Sequence, residues 1–191
     1  ERTMKLILAS QSPRRRELLG LLKIPFSVRV ADIDETIGEH ADPARAVAEL
    51  SLRKALAVAP ADDEVVVAAD TVVVCGGRIL GKPKDAAQAK QMLTMLSGTD
   101  HQVMTGLTVI SCHGRRTLTE VTDLHFRPLT AAEIDAYIAT GEPMDKAGAY
   151  GIQGGAALFC RAIEGDYYNV VGLPVCRLAT VLRELAPELG V

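Results

Sequence analysis

The sequence predicts an α/β fold, a mixed, twisted sheet flanked by helices and arranged as one domain with two lobes. Three observations lead there. Short apolar runs rich in β-branched residues, above all Val65 to Val74, alternate with stretches whose apolar residues recur at helical spacing. Helix-start signals stand between those runs: Ser12-Pro13, Asp42-Pro43, Asp85, and Thr130 with Glu133. The middle of the chain, His101 to Phe126, reads as two long strands, which makes the sheet mixed. With 191 residues and no repeat, low-complexity tract or linker, the chain is expected to form a single domain over 4–191. Glu1-Arg2-Thr3 precede Met4, a plausible native start, and read as an appended remnant.

Taken in order, Leu6-Ile7-Leu8-Ala9 is a short buried strand. Ser12 then serves as N-cap and Pro13 as the first helical residue, with Leu18, Leu19, Leu21 and Leu22 on the apolar side. Phe26 to Val30 is a second strand, followed by the acidic loop Asp32-Ile33-Asp34-Glu35. Asp42-Pro43 opens a helix that runs to about Val58. The continuous run Val65 to Val74 is what a strand covered on both faces requires. Gly76-Gly77 turns it back into Arg78-Ile79-Leu80 as a hairpin. Asp85 caps a helix through Met92 and Leu96, stopped by Gly98. His101 to Ser111 and Thr117 to Phe126 follow as strands, joined across a surface turn at Cys112-His113. Thr130 and Glu133 form a capping box for a helix that Gly141 and Pro143 end. Beyond the glycine-rich stretch Gly148 to Gly155, strands are expected at Ala157 to Ile163 and Tyr168 to Val171, and Pro174 opens a last helix through about Leu185.

Composition excludes several classes. The chain is 48% hydrophobic, enough for a substantial core and too much for disorder. Aromatics are 4% with no Trp, against a base-stacking platform, and the net charge of −3 supplies no footprint for nucleic acid or an anionic membrane. No apolar run approaches the roughly 18 residues of a membrane span, and no signal-peptide layout opens the chain, so a cytoplasmic protein is expected. Cys75, Cys112, Cys160 and Cys176 lie far apart with no Cys-x-x-Cys pair; reduced thiols filling core space are expected rather than a zinc site or disulfides.

Local rules are broken in a few places, and these are the candidate functional positions. Ser10-Gln11-Ser12-Pro13-Arg14-Arg15-Arg16 puts three cations where a helix start favours acids. An anion bound there reverses the sign of that penalty; a basic surface turn fits the same letters. Asp70 interrupts an otherwise apolar strand, and a carboxylate in such a place neutralises, pairs, or binds a metal. Lys82 sits on the stiff Gly81-Lys82-Pro83 loop directly after the hairpin. Lys54 falls on the apolar stripe Val47, Leu50, Lys54, Val58 and can reach past the core edge. Glu35 closes the acidic loop and offers a hard oxygen for Mg²⁺, although such a run is also an ordinary solvated turn. Asp145 to Gly155 packs four glycines around Gln153; the stretch is neither a P-loop nor Gly-x-Gly-x-x-Gly, and reads equally as a close-approach loop or a flexible one.

Together these segments resemble the Maf family of nucleoside triphosphate pyrophosphatases. The likeness rests on Leu8-Ala9-Ser10-Gln11-Ser12-Pro13-Arg14-Arg15, Asp34-Glu35, Ala69-Asp70-Thr71-Val72, Gly81-Lys82-Pro83, Leu96-Ser97-Gly98, Lys146 to Gln153, and Asn169-Val170-Val171-Gly172-Leu173-Pro174, in family order over nearly the whole chain. The resemblance implies a deep cleft between the lobes, an architecture similar to the inosine triphosphate pyrophosphatases, and metal-assisted hydrolysis of nucleoside triphosphates to monophosphate and pyrophosphate. It implies Mg²⁺ or Mn²⁺ as the cation and a nucleoside triphosphate as the partner; composition argues against nucleic acid and membrane partners, and apolar surface on the middle strands leaves a homodimer open.

By the same resemblance Asp70 is the proton acceptor, and Lys54 and Lys82 act beside it. Ser10, Arg14, Arg15, Thr71 and Gln153 bind substrate; Glu35 and Asp70 hold the metal. Asp70-Thr71 and Gly151-Ile152-Gln153 look like the branch acting on dTTP and UTP, with Arg14, Thr71 and Gln153 setting specificity. Uracil and thymine pair an O4 acceptor with an N3–H donor, which one Gln153 amide complements and cytosine does not. Two other readings remain: the sister branch acting on 7-methyl-GTP, and a nucleotide-binding regulator of septum formation or cell division that needs no hydrolysis.

Overall fold

The computed structural model describes residues 3–38 and 40–191; Glu1 and Arg2, read above as part of an appended remnant, lie outside the described residues. In chain order the elements are β1 (Lys5–Leu8), α1 (Pro13–Leu19), β2 (Phe26–Val28), α2 (Pro43–Ala57), β3 (Glu64–Cys75), β4 (Arg78–Leu80), α3 (Ala86–Leu96), β5 (Asp100–Ser111), β6 (Gly114–Phe126), α4 (Ala131–Ala139), β7 (Cys160–Glu164), α5 (Tyr167–Val171) and α6 (Val175–Leu185), with short 3₁₀ turns between some of them. The strands form one open mixed sheet in the order β2-β1-β3-β5-β6-β7, with β4 paired to β3. The fold is α/β, as the alternation of elements requires.

The chain divides into two compact units, Glu1–Asp70 with Thr105–Glu120 and Gly172–Val191, and Thr71–Met104 with Val121–Val171. In the first, β1 pairs in parallel with β2 (Leu6↔Phe26) and with β3 (Leu6↔Val65). A parallel strand is covered on both faces, and Leu6, Ile7 and Leu8 are accordingly all buried. Asp42 caps α2 by accepting the Ala44 N–H, with Pro43 in its first turn. The helix then buries Val47, Leu50, Ser51 and Ala55. Ile7, Ala9, Ala55, Val58, Val66 and Ala68 form one apolar cluster beneath it. A hydroxyl ladder ties α2 to the strands: Ser51 Oγ lies 2.8 Å from Thr108 Oγ1, which lies 2.9 Å from Thr117 Oγ1, and Thr119 Oγ1 donates to the Ala44 carbonyl at 2.7 Å. Gly106 makes this docking possible, because a Cβ there would overlap the Val47 carbonyl group.

The second unit closes around Leu80, Leu93, Leu96, Leu124, Phe126, Ile134, Tyr137, Tyr150 and Phe159. Asp85 accepts the Gln88 N–H to start α3. The Thr130–Glu133 capping box starts α4, and Arg127 pairs with Glu133 through both Nη atoms (3.2 and 2.7 Å). His101, Phe126, Tyr150 and Phe159 meet edge-to-face at 4.8–6.3 Å between centroids, the geometry ring quadrupoles favour.

Several expectations need correction. The Ser12-Pro13 helix lasts only seven residues before a 3₁₀ turn over Gly20–Leu22, and the changed pitch leaves Leu21 51% exposed rather than on the apolar side. Tyr168 to Val171 is helical, within α5. Asp166 accepts the Tyr168 N–H, while the buried Asn169 amide donates to Val103 O and Thr122 Oγ1; those tertiary bonds outweigh the β propensity of the segment. Ala157 and Leu158 belong to a 3₁₀ turn, and the strand starts at Cys160. All four cysteines are free thiols, but Cys112 and Cys176 are exposed and fill no core space.

Candidate active site

Residues far apart in sequence converge within the first unit. The loop leaving β1 folds on itself: Ser10, buried, accepts the Ser12 N–H at 3.1 Å, and Ser12 caps α1 by accepting the Arg15 N–H at 3.3 Å. Arg14 and Arg15 therefore occupy the first turn, half-buried, while Arg16 is exposed. Two turns of helix carry few aligned amides, so positive charge here comes chiefly from guanidiniums. Arg15 Nε donates to the Gly172 carbonyl at 2.7 Å, which draws the side chain inward. Desolvation of its guanidinium lowers its pKa, and the negative charge of Asp70 opposes that fall. Arg15 stays a cation.

Asp70 stands where the buried run of β3 gives way to partial exposure. Its Oδ1 accepts from Lys54 Nζ at 3.0 Å, and the same ammonium lies 2.9 Å from Glu35 Oε1. Lys54 reaches that point from α2, with 14% of its side chain exposed, against 16% for Asp70 and 59% for Glu35. The stripe Val47, Leu50, Val58 is buried, so Lys54 extends its stem along apolar surface and presents its charge at the rim.

The acidic loop is held rather than free. Asp34 Oδ1 accepts both the backbone N–H (2.9 Å) and the hydroxyl (2.6 Å) of Thr36, which lower its pKa. Arg53 Nη2 donates to the Asp34 carbonyl at 2.6 Å. Arg53 was missed by sequence reasoning, as was the Gly172 carbonyl. For Arg53 the only hint was that it adjoins Lys54; Gly172 stands in the family-like segment Asn169 to Pro174, but nothing there marks its carbonyl as the partner of Arg15, 157 positions away.

The remaining candidates belong to the second unit. Thr71 follows Asp70 on β3 and is half-buried. Lys82 is exposed on the loop after β4, a loop tied down where Gly81 O accepts the Gly148 N–H at 3.1 Å. Gln153 is exposed within the glycine-rich stretch, which folds as short turns.

Among the described residues no group of three or more His, Cys, Asp and Glu side chains could hold a metal ion. Glu35 and Asp70 do supply two hard oxygens around one point of positive charge. Carboxylate oxygens are the donor type a hard cation such as Mg²⁺ takes beside water and substrate phosphates, and here both are bonded to the Lys54 ammonium. Among the described residues no helix is long and apolar enough to cross a membrane.

Comparison with known proteins bears on the family and the fold. A HAM1 protein from Coxiella burnetii shares the fold at 15% identity, with a TM-score of 0.53 over 95% of this chain and 99% of that one. A dTTP/UTP pyrophosphatase of Bacillus cytotoxicus is 54% identical over 181 residues, 94% of this chain and 95% of its own length. A dTTP/UTP pyrophosphatase of Bacillus cereus is 50% identical over 185 residues, covering 96% and 91%. The model of the Maf-like proteins matches residues 5–185. The chain belongs to the Maf family.

Proposed function

We propose that this chain is a nucleoside triphosphate pyrophosphatase that hydrolyses dTTP and UTP, with modified pyrimidine triphosphates as further candidates, to the monophosphate and pyrophosphate. Relatives half identical over nearly its whole length bear that activity in their names. The observation that carries the reading is Asp70, a carboxylate interrupting the valine-rich strand β3, bonded to Lys54 with Glu35 on the same ammonium. Arg15 stands near enough to feel the charge of both acids. An acid beside desolvated cations suits phosphoryl transfer, where positioning and charge supply most of the rate.

Asp70 takes a proton from a water as that water attacks the α-phosphorus. The new bond is P–O(water), the bond to the bridging oxygen of the β-phosphate breaks, and pyrophosphate leaves with that electron pair. Lys54 orients the Asp70 carboxylate. Arg14 and Arg15 bind phosphate oxygens, and Ser10 shapes the turn that presents them. Glu35 and Asp70 would hold a divalent cation, which when bound neutralises phosphate charge. Lys82, Thr71 and Gln153 are assigned to substrate by family likeness, Lys82 to phosphate and Thr71 and Gln153 to the base, with Arg14 sharing in specificity.

The test is a pyrophosphate-release panel of dTTP, UTP, CTP, GTP, dATP and 7-methyl-GTP with Mg²⁺ or Mn²⁺. Turnover concentrated on dTTP and UTP is expected. Preference for 7-methyl-GTP moves the chain to the sister branch, and tight nucleotide binding without release under either metal overturns the enzymatic reading.

A further inference from the structure

The loop that carries Gln153 is built, not slack. Tyr137, on α4, is 5% exposed and packs edge-to-face on Phe159 at 5.2 Å. Its hydroxyl accepts the Gly151 N–H at 3.0 Å, and burial together with the charge of nearby Glu142 pushes its pKa up. Glu142 Oε2 in turn accepts the Gly155 N–H at 3.1 Å. One phenol and one carboxylate thus take the first and last amides of the five-residue loop Gly151 to Gly155, with Gln153 midway between them.

A Cβ on Gly154 would overlap Glu142 Oε1 and displace that carboxylate, while a Cβ on Gly155 would lie 3.0 Å from Tyr137 Cε2. Glu142 is itself anchored, since Lys146 Nζ donates to its carbonyl at 2.9 Å and to Asp145 Oδ1 at 2.9 Å. The Lys146 stem also closes the loop's near side: a Cβ on Gly151 would lie 2.8 Å from its Cε. Glycines here serve close approach to two polar side chains, and the side chain they leave presented is exposed Gln153.

We propose that Glu142, acting with Tyr137, is a positioning residue for base selection, holding the Gly151–Gly155 loop so that the Gln153 amide keeps one orientation. This rests on the reading that Gln153 discriminates the base. An amide distinguishes O4/N3–H from the cytosine edge only if its oxygen and nitrogen are fixed in place; a loop free to move relaxes that choice before it weakens triphosphate binding.

The experiment compares kcat/KM for UTP against CTP in wild type, Gln153→Ala, Glu142→Ala, Glu142→Gln, Tyr137→Phe and the Glu142→Ala/Gln153→Ala double variant. Hydrogen exchange at the Gly151 and Gly155 amides is followed alongside. Gln153→Ala is expected to lower the UTP-to-CTP ratio by about 10-fold or more. Glu142→Ala should lower it comparably, with faster exchange at both amides and a smaller change in KM for UTP than in the ratio. Glu142→Gln, which keeps an acceptor for Gly155, should hold the ratio within about 3-fold of wild type. The double variant should fall no further than Gln153→Ala alone, the signature of one residue acting through another. If Glu142→Ala fails to fold, Tyr137→Phe carries the same comparison. Folded Glu142→Ala and Tyr137→Phe proteins with the wild-type ratio, or additive losses in the double variant, overturn the proposal while leaving Gln153 its role. A wild-type ratio in Gln153→Ala overturns both.

Discussion

Lys54 Nζ lies 3.0 Å from Asp70 Oδ1, and the same ammonium reaches Glu35 at 2.9 Å. One cation therefore serves two acids, and it comes from a helix that Gly106 and a ladder of hydroxyls seat on the sheet. Asp70→Asn keeps the shape of this contact and removes the proton acceptor. Turnover should fall at least about 10²-fold, the scale of a lost general base, with KM for UTP within about 3-fold. Steady-state pyrophosphate release checks this, and near-wild-type kcat would remove Asp70 from the chemistry.

Lys54→Met preserves the apolar stem and deletes the charge. Asp70 and Glu35 then face each other without their shared partner, and kcat/KM should fall about 10–100-fold. A thermal melt separates the effect from unfolding: the midpoint should move by only a few degrees, because the ammonium lies at the rim of the core rather than inside it.

Arg15→Lys retains a positive charge but cannot both donate to Gly172 O from Nε and present a planar fork. KM for UTP should rise about 10-fold with kcat changed less, since the loss falls on phosphate binding. Steady-state kinetics with UTP gives both numbers.

Gly106→Ala forces a methyl into the carbonyl group of Val47. Backbone cannot yield there as a flexible side chain would, so the cost should be at least about 2 kcal/mol. For a chain of this size that lowers Tm by about 4 °C or more. A variant with an unchanged midpoint would show that α2 can shift on β5 at no cost.

Acid should destabilise the chain in two stages. Burial pushes the His101 imidazole down to about 4, against about 6.5 in an unfolded chain. The folded state therefore refuses a proton that the unfolded state takes, and stability present above pH 6.5 is lost as pH falls through 4. The paired Arg29 guanidinium, 2.6 and 2.8 Å from the two Glu64 oxygens, holds that carboxyl at about 2. Its contribution is complete above about pH 4.5 and is lost as pH falls through 2. Urea midpoints across pH should show His101→Phe flattening the first stage and Glu64→Gln the second. At neutral pH Glu64→Gln should cost about 1 kcal/mol, the scale of a half-exposed ion pair.

Much of this protein was legible in its letters, because the signals are local. Caps at Ser12, Asp42, Asp85 and Thr130 announce helices through bonds spanning two or three residues, and the valine run around Asp70 announces a strand buried on both sides. The ordered motifs carried the family, and breaches of local rules at Arg14, Arg15 and Asp70 singled out the candidate site. What failed were segments whose conformation is settled from a distance. Asn169 bonds to strands 47 and 66 positions away, and so bends a β-prone stretch into helix.

By itself, then, the sequence determined the α/β class, most element boundaries, the family, and which charges stand where charge is costly. Tertiary structure alone decided that Lys54 unites Asp70 with Glu35, that Gly172 draws Arg15 inward, and that Tyr137 and Glu142 grip the loop around Gln153. The reason is physical. A cap or a periodic stripe is a bond between near neighbours along the chain, whereas these are bonds between side chains and backbone groups brought together only when the sheet and its helices have packed.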